Sequence, residues 1–145
     1  LKESGYLKQH ASEKKQIKRA LKPRAFRTSS GLRISVGRNN KQNDQLTCKE
    51  AAPGDYWFHT QKIHGSHVIL HTEGSVPDAQ SMTEAALLAA YYSQAREGQN
   101  VPVDYTPVRY VKKPAGARPG MVIYTTYQTA YVTPEERLVK ALRET

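Results

Sequence analysis

The sequence predicts an α+β domain in which a largely antiparallel central sheet is packed by one long Ala/Leu-rich helix and a short C-terminal helix, preceded by a basic helical arm. Three observations point to this class. Segments with strand and helix character alternate in blocks, and neighbouring strands lie too close in sequence for the crossovers that parallel pairing needs. The run Ala85-Ala86-Leu87-Leu88-Ala89-Ala90 leaves almost no polar face, so most of its circumference must be covered by sheet or neighbouring elements. A chain of 145 residues builds one core of ordinary size and is too short for two.

Tyr6 to Leu21 is rich in Lys, Gln, Glu and Ala with no Gly or Pro, which favours helix. Leu7, Ile17 and Leu21 give only a narrow apolar seam, suited to the end of a coiled coil, and Pro23 closes it. The arm is therefore assigned to residues 1–23 and the globular domain to 24–145. Ala25 to Val36 alternates apolar and polar residues around Ser29-Ser30-Gly31, the pattern of two short strands and a turn. Gly37 to Asp44 has no apolar side chain and reads as a loop, with Asn43 or Asp44 capping a short helix from Leu46 to Ala51. Pro53-Gly54 turns the chain into a buried strand, Tyr56-Trp57-Phe58-His59, and His67 to Leu70 forms the next. Ser81-x-x-Glu84 is a capping box opening a helix from Met82 to Glu97, stopped by Gly98. Val108 to Val111 and Met121 to Val132 read as strands joined by a basic Pro/Gly loop, Lys112 to Gly120. Thr133-Pro134-Glu135-Glu136 opens a last helix with Leu138, Val139 and Leu142 inward.

Charge narrows the function. Residues 1–49 carry 13 basic and 3 acidic side chains, and residues 50–145 carry 9 and 10, so the net charge of +9 sits entirely in the first third. Segregated positive charge is the footprint of a surface that meets phosphates or anionic lipid, a merely solvated basic arm being the plainer alternative. The single Cys48 cannot form an internal disulfide, which favours a reducing compartment, and no apolar run suits a signal peptide or a membrane span. A cytoplasmic piece of a longer protein, without membrane contact, is expected.

Two segments carry the candidate chemistry. Arg38, Asn39, Asn40, Lys41, Asn43 and Asp44 offer a guanidinium, an ammonium and amides that suit phosphates, 2′-hydroxyls and base edges; a solvated turn is the plainer alternative. Asp55-x-Trp57-x-His59 runs through Lys62 into His64-Gly65-Ser66-His67. Trp57 and His59 share one strand face, and Gly65-Ser66 lets backbone N–H groups approach an anion closely. Exposed, Trp57 is a platform for stacking a base; buried, it is a core anchor, and the sequence leaves both open. Lys112, Lys113 and Arg118 place three cations on a loop stiffened by Pro114 and Pro119. Histidines 59, 64, 67 and 71 fit no familiar metal spacing, so neither metal nor cofactor is expected. Asp55 is a candidate to orient the His59 imidazole, but no nucleophile accompanies them and no catalytic residue is assigned.

Taken together and in this order, G-R-N-N-K-Q-N-D-Q-L-T at 37–47, D-Y-W-F-H-T at 55–60, G-S-H-V-I-L at 65–70 and V-K-K-P-A-G-A-R-P-G-M-V-I-Y at 111–124 resemble the RNA-binding domain of the NFACT family, the C-terminal module of ribosome quality-control proteins of the RqcH and NEMF kind. The family's usual P-G-S-H is His64-Gly65-Ser66-His67 here, which loses a turn-fixing ring. The resemblance implies a cytoplasmic protein that binds a large ribosomal subunit obstructed by peptidyl-tRNA, recruits tRNA and supports untemplated C-terminal alanine addition, this domain gripping RNA. It also implies a rival, because some bacterial relatives carry the older label of fibronectin-binding protein: a surface adhesin whose partner is fibronectin. An RNA-processing enzyme using Asp55, His59 and His67 is a third reading.

Overall fold

The computed structural model describes residues 22–143. The helical arm assigned to 1–23 thus lies, apart from Lys22 and Pro23, outside the described residues. The rest is the expected α+β arrangement, a six-stranded sheet in the order β1-β2-β4-β3-β5-β6 with every neighbouring pair antiparallel.

β1 (Arg24–Arg27) and β2 (Arg33–Val36) form the hairpin expected around Ser29-Ser30-Gly31. Gly31 takes φ +96°, a value glycine adopts without a Cβ penalty. β3 (Tyr56–Thr60) and β4 (Val68–Leu70) follow, with Trp57 opposite Ile69 and Phe58 opposite Val68. β5 (Val101–Pro107) lies against the other side of β3, and β6 (Gln128–Val132) ends the sheet.

The period of two along each strand divides the buried side chains between two faces. Phe26, Ile34, Val36, Phe58, Val68, Leu70 and Val103 point to the face covered by α2 (Ala79–Tyr91) and α3 (Glu136–Leu142), where Leu88, Val139 and Leu142 meet them. The all-round apolar run of α2 is explained by this burial: Ala85 to Ala90 are all covered. Trp57 and Ile69 point to the opposite face and make a second, smaller core with Leu46 and Val108, flanked by Val111, Val122 and Tyr124. That second face carries the candidate site.

Several boundaries differ from the sequence reading, each for a local reason. The polar stretch after Gly37 is helical from Asn40: α1 (Asn40–Gln45) is capped by Asn39, whose Oδ1 accepts from Gln42 N at 2.9 Å, and it continues into a π turn at Leu46–Glu50. The cap of α2 is Asp78, which accepts from Ser81 N at 3.1 Å, not Ser81. Ser81 and Glu84 turn instead to the β1–β2 hairpin, where the Glu84 carboxylate accepts from Ser29 N at 2.8 Å and also from the Ser29 hydroxyl, and Ser81 bonds the Thr28 hydroxyl at 2.8 Å. α2 ends at Tyr91 rather than at Glu97, because the chain is drawn into a bridge with 64–66: Ser66 N–H donates to Tyr92 O and Gln94 N–H to His64 O. The strand read at Val108–Val111 lies at Val101–Pro107, and Val108–Tyr110 is a 3-10 turn. Pro102 and Pro107 disguised the strand. Of Met121 to Val132 only Gln128–Val132 is a strand; the segment before it leaves the sheet and is held by a bridge between Lys112 and Ile123.

Candidate nucleic-acid interface

Alternation along β3 brings Trp57 and His59 to the same face, and the residue before β4 adds His67. His59 stacks on Trp57 with ring centroids 5.7 Å apart and planes 5° from parallel. His67 meets both rings edge to face at 5.4 Å, and Tyr124 packs on the indole at 4.7 Å. Trp57 is 1% exposed and His67 2%, while His59 and Tyr124 are only partly buried. Of the two roles open to Trp57, the structure places it as a core anchor. His59 and Tyr124 are the members of the cluster that reach the surface.

His67 joins the two loops singled out in the sequence. Its Nε2 lies 3.1 Å from the carbonyl of Gly120, an oxygen that only accepts, so Nε2 carries the proton. Its Nδ1, 2.8 Å from the Thr47 hydroxyl, is then the acceptor, and its backbone N–H donates to Asn43 Oδ1 at 3.1 Å. Burial first, and the neighbouring His59 second, bring the His67 pKa down to about 3, so the ring is neutral at pH 7. Asn43 is itself buried, and a Cβ on Gly37 would sit 2.0 Å from its Oδ1, which explains the glycine that opens the polar loop. Gly65 permits a close approach too, but the groups that approach are Thr60 and Ser93 of the same chain: a Cβ there would lie 2.8 Å from Thr60 Oγ1 and 2.9 Å from Ser93 Cβ.

Asp44 is the second clamp. Its carboxylate accepts from Lys113 Nζ and, at 3.3 Å, from Gly120 N, so the basic loop is tied down onto α1. The Lys113 ammonium, more than any other group, holds the Asp44 carboxyl below its usual range. Asp44 and Lys113 therefore answer each other, and the loop's other two cations, Lys112 and Arg118, are exposed. Asp104, a buried carboxylate on β5, performs a similar task by accepting from Tyr124 Oη at 2.7 Å, Thr129 Oγ1 at 2.9 Å and Gln61 Nε2 at 3.0 Å. It fixes the tyrosine that lies against Trp57.

Around this cluster lie three cavities that share walls. A cleft of about 560 Å³ is floored by Trp57, His59 and Tyr124 and rimmed by Lys62 and Arg118. A second, of about 280 Å³, shares Asn40, Asn43, His64, Gly65 and Gln94 with the first and adds Arg38, Asn39 and Ser66. A third, also about 280 Å³, shares Arg38 and Tyr92 with the second and brings in Arg24 and Arg143. Among the described residues, no Asp or Glu lines any of the three. The result is a continuous track with arginines at one end and the aromatic cleft at the other.

The structure thus gathers Arg38, Asn39, Asn40, Asn43, Trp57, His59, Lys62, Gly65, Ser66, His67 and Arg118 along one track, and leaves Lys41 and Lys112 exposed outside its walls. Asp55 stands apart. Buried just before β3, it accepts from Ala52 N and Thr72 N at 3.0 Å each, and the imidazole beside it is His71 at 3.4 Å rather than His59. The acid–base pair suggested by D-x-W-x-H is therefore not the pair that forms. Among the described residues no three His, Cys, Asp or Glu side chains are placed to hold a metal ion. No helix there is long and apolar enough to cross a membrane. Arg24, Tyr92, Gln94, Tyr124 and Arg143 escaped the sequence reading as site residues; only Tyr124 lay within a motif that had been singled out.

The buried imidazoles make stability depend on pH in one direction. Burial is the largest cause holding His67, His59 and His71 below their ordinary value of 6.5. Below that pH the unfolded chain takes up protons that the folded chain refuses. The stability contribution is therefore complete above pH 6.5 and declines as the pH falls toward about 3 for His67. Each refusing group costs at most about 1.4 kcal/mol per pH unit in that window. Urea melts should show a lower midpoint at mildly acidic pH than at neutral pH, with His67→Gln reducing the dependence; a midpoint unmoved by acid would mean that the imidazoles protonate in place.

The sequence pattern of the NFACT protein RNA binding domain matches residues 22–125, which span β1 to the segment beyond the basic loop. The chain belongs to that family. It is 46% identical over 137 residues to the Rqc2 homolog RqcH of Bacillus subtilis (strain 168), covering 94% of this chain and 24% of the relative. It is 42% identical over 142 residues to the Rqc2 homolog RqcH of Streptococcus suis (strain 05ZYH33), covering 97% and 25%. This NFACT RNA-binding domain chain thus spans about a quarter of the length of those relatives. Coiled-coil domain-containing protein 25 of Bos taurus matches at 29% identity over 119 residues. Among solved structures, the C-terminal part of the fibronectin/fibrinogen-binding protein from Streptococcus suis superposes with a TM-score of 0.81 at 42% identity, covering 85% of this chain and 49% of that one.

Proposed function

We propose that this domain is the RNA-gripping module of a ribosome quality-control protein, and that it binds RNA along the carboxylate-free track from Arg24, Arg38 and Arg143 to the cleft beneath Lys62 and Arg118. The observation that carries this is the composition of the track's walls. Among the described residues, no Asp or Glu lines the three adjoining cavities, whereas five cations do. A polyanion profits from such a surface because each phosphate neutralised releases counterions. Tyr92, with Arg24 4.8 Å from its ring centroid, adds a planar group where the arginine end meets the middle cavity.

On this reading the domain binds and does not catalyse; His67, His71 and Asp55 are engaged in internal hydrogen bonds. Its RNA is tRNA, or tRNA together with the large ribosomal subunit that holds peptidyl-tRNA. The complete protein recruits tRNA for C-terminal alanine addition to stalled chains in the cytoplasm, as the motifs' resemblance to the family implies. The polar helix start, Arg38 to Asp44, would meet phosphates and 2′-hydroxyls through Arg38, Asn39, Asn40 and Lys41, with Asn43 and Asp44 shaping it from within.

Binding of this chain to deacylated tRNA across a salt series tests the proposal. Affinity should fall steeply with salt, by about 0.7 logarithmic units per tenfold salt for each phosphate held on single strands, and an Arg38→Ala/Lys41→Ala variant should bind more weakly with a shallower slope. Salt-independent binding, or saturable binding to fibronectin that survives excess tRNA, would favour the property named for the streptococcal relative instead.

A further inference from the structure

The cleft at the end of the track is built unlike the rest of it. About 560 Å³ lies within the size range of pockets for small organic ligands, roughly 300–1,000 Å³, and far below what a nucleic-acid duplex needs. Its floor is aromatic, its side walls offer the amides of Asn40 and Gln94 with the apolar Ile63 and Val122, and its cations, Lys62 and Arg118, are exposed at the rim. The imidazoles of the inner wall are uncharged at neutral pH because burial depresses them. Charge is thus confined to the mouth, and the interior presents rings and hydrogen-bonding amides. One further group lacks an answer: the indole Nε1–H of Trp57, a floor residue, is buried with no hydrogen-bond partner among the described residues.

We propose that this cleft receives a single unstacked nucleotide of a single-stranded RNA segment, its base against His59 and Tyr124 and its phosphates between Lys62 and Arg118. The inference rests on the RNA-binding reading above and adds to it which RNA feature is selected. A base has a π face for the rings and edge groups for the amides, whereas a phosphate alone would use only the rim. The cleft's shared wall with the Arg38 cavity lets the strand leave toward the arginines, so neighbouring phosphates fall on the rest of the track. A helical RNA keeps its bases stacked and paired and presents only its backbone to this surface.

Trp57 is the chain's sole tryptophan and forms the floor of the cleft, so its fluorescence reports occupancy there and nowhere else. The chain is titrated with a short oligoadenylate, with a blunt RNA duplex carrying the same number of phosphates, and with adenosine monophosphate, following both Trp57 emission and the anisotropy of labelled RNA. The single strand should change Trp57 emission saturably at the concentrations where anisotropy rises, while the duplex binds more weakly and leaves emission unchanged. His59→Ala, shown to be folded, should weaken single-strand binding about tenfold and leave duplex binding alone. Lys62→Ala, an exposed change, should weaken the single strand with the fold intact. Anisotropy that rises for the single strand with silent Trp57 emission would overturn the nucleotide site and leave the RNA-binding reading standing. A response to adenosine monophosphate as strong as that to the oligomer would also overturn it, by making a free nucleotide the ligand. No anisotropy change with either RNA at low salt would overturn the RNA-binding reading, and the nucleotide site with it.

Discussion

Trp57→Ala is expected to destabilise the folded domain by about 3–5 kcal/mol, the range for removing a large aromatic side chain from a packed interior. Trp57 is 1% exposed and contacts the rings of His59, His67 and Tyr124. Among the described residues, the core on its side of the sheet contains three other buried apolar side chains, Leu46, Ile69 and Val108, so little material is at hand to collapse into the void. The two segments clamped by His67, at Asn43–Thr47 and at Gly120, meet over this ring, so they should loosen with it. Urea denaturation followed by circular dichroism measures the loss, and Trp57→Phe should recover part of it. A cost below about 1 kcal/mol would show that the aromatic cluster is not what supports the cleft.

The second large effect is on binding. Reversing charge at Arg24, Arg38 and Arg143 together should lower affinity for single-stranded RNA about a hundredfold or more at moderate salt. It should also reduce the slope of log affinity against log salt by about 2, since three phosphate contacts at roughly 0.7 each are lost. The three side chains are exposed or partly so, at the start of β1, before α1 and after α3, and they come together only in the fold. Reversal at Arg33, Arg109 and Arg137 together removes as much positive charge from outside the track and should cost far less; equal losses would mean that net charge alone, and not this track, governs binding.

The sequence was informative wherever a pattern is local. The antiparallel sheet, the Ala-rich central helix and the β1–β2 hairpin followed from periodicity and turn residues, and the four motifs carried the family. It was silent where partners are distant. Nothing in the spacing of Arg24, Arg38 and Arg143 announces that they face one cavity, because the closing of the β1 edge by the segment after α3 is a property of the finished sheet. Asp55 looked like a partner for His59, four residues away on the strand; its hydrogen bonds run instead to Thr72 and its imidazole neighbour is His71, both reached across β4. β5 was misplaced because proline, normally excluded from central strands, stands at its second residue and at its end. Gly65 signalled a close approach correctly in kind, but the approaching groups proved to be Thr60 and Ser93.

Photocrosslinking of bound tRNA, followed by identification of the modified peptides, tests the central claim most directly. Adducts should fall within Arg38–Asn43, Lys62–Ser66 and Arg118–Tyr124, the segments that wall the cleft and the cavity beside it. Adducts confined to β6 or to the exposed side of α3, with these segments unmodified, would contradict it.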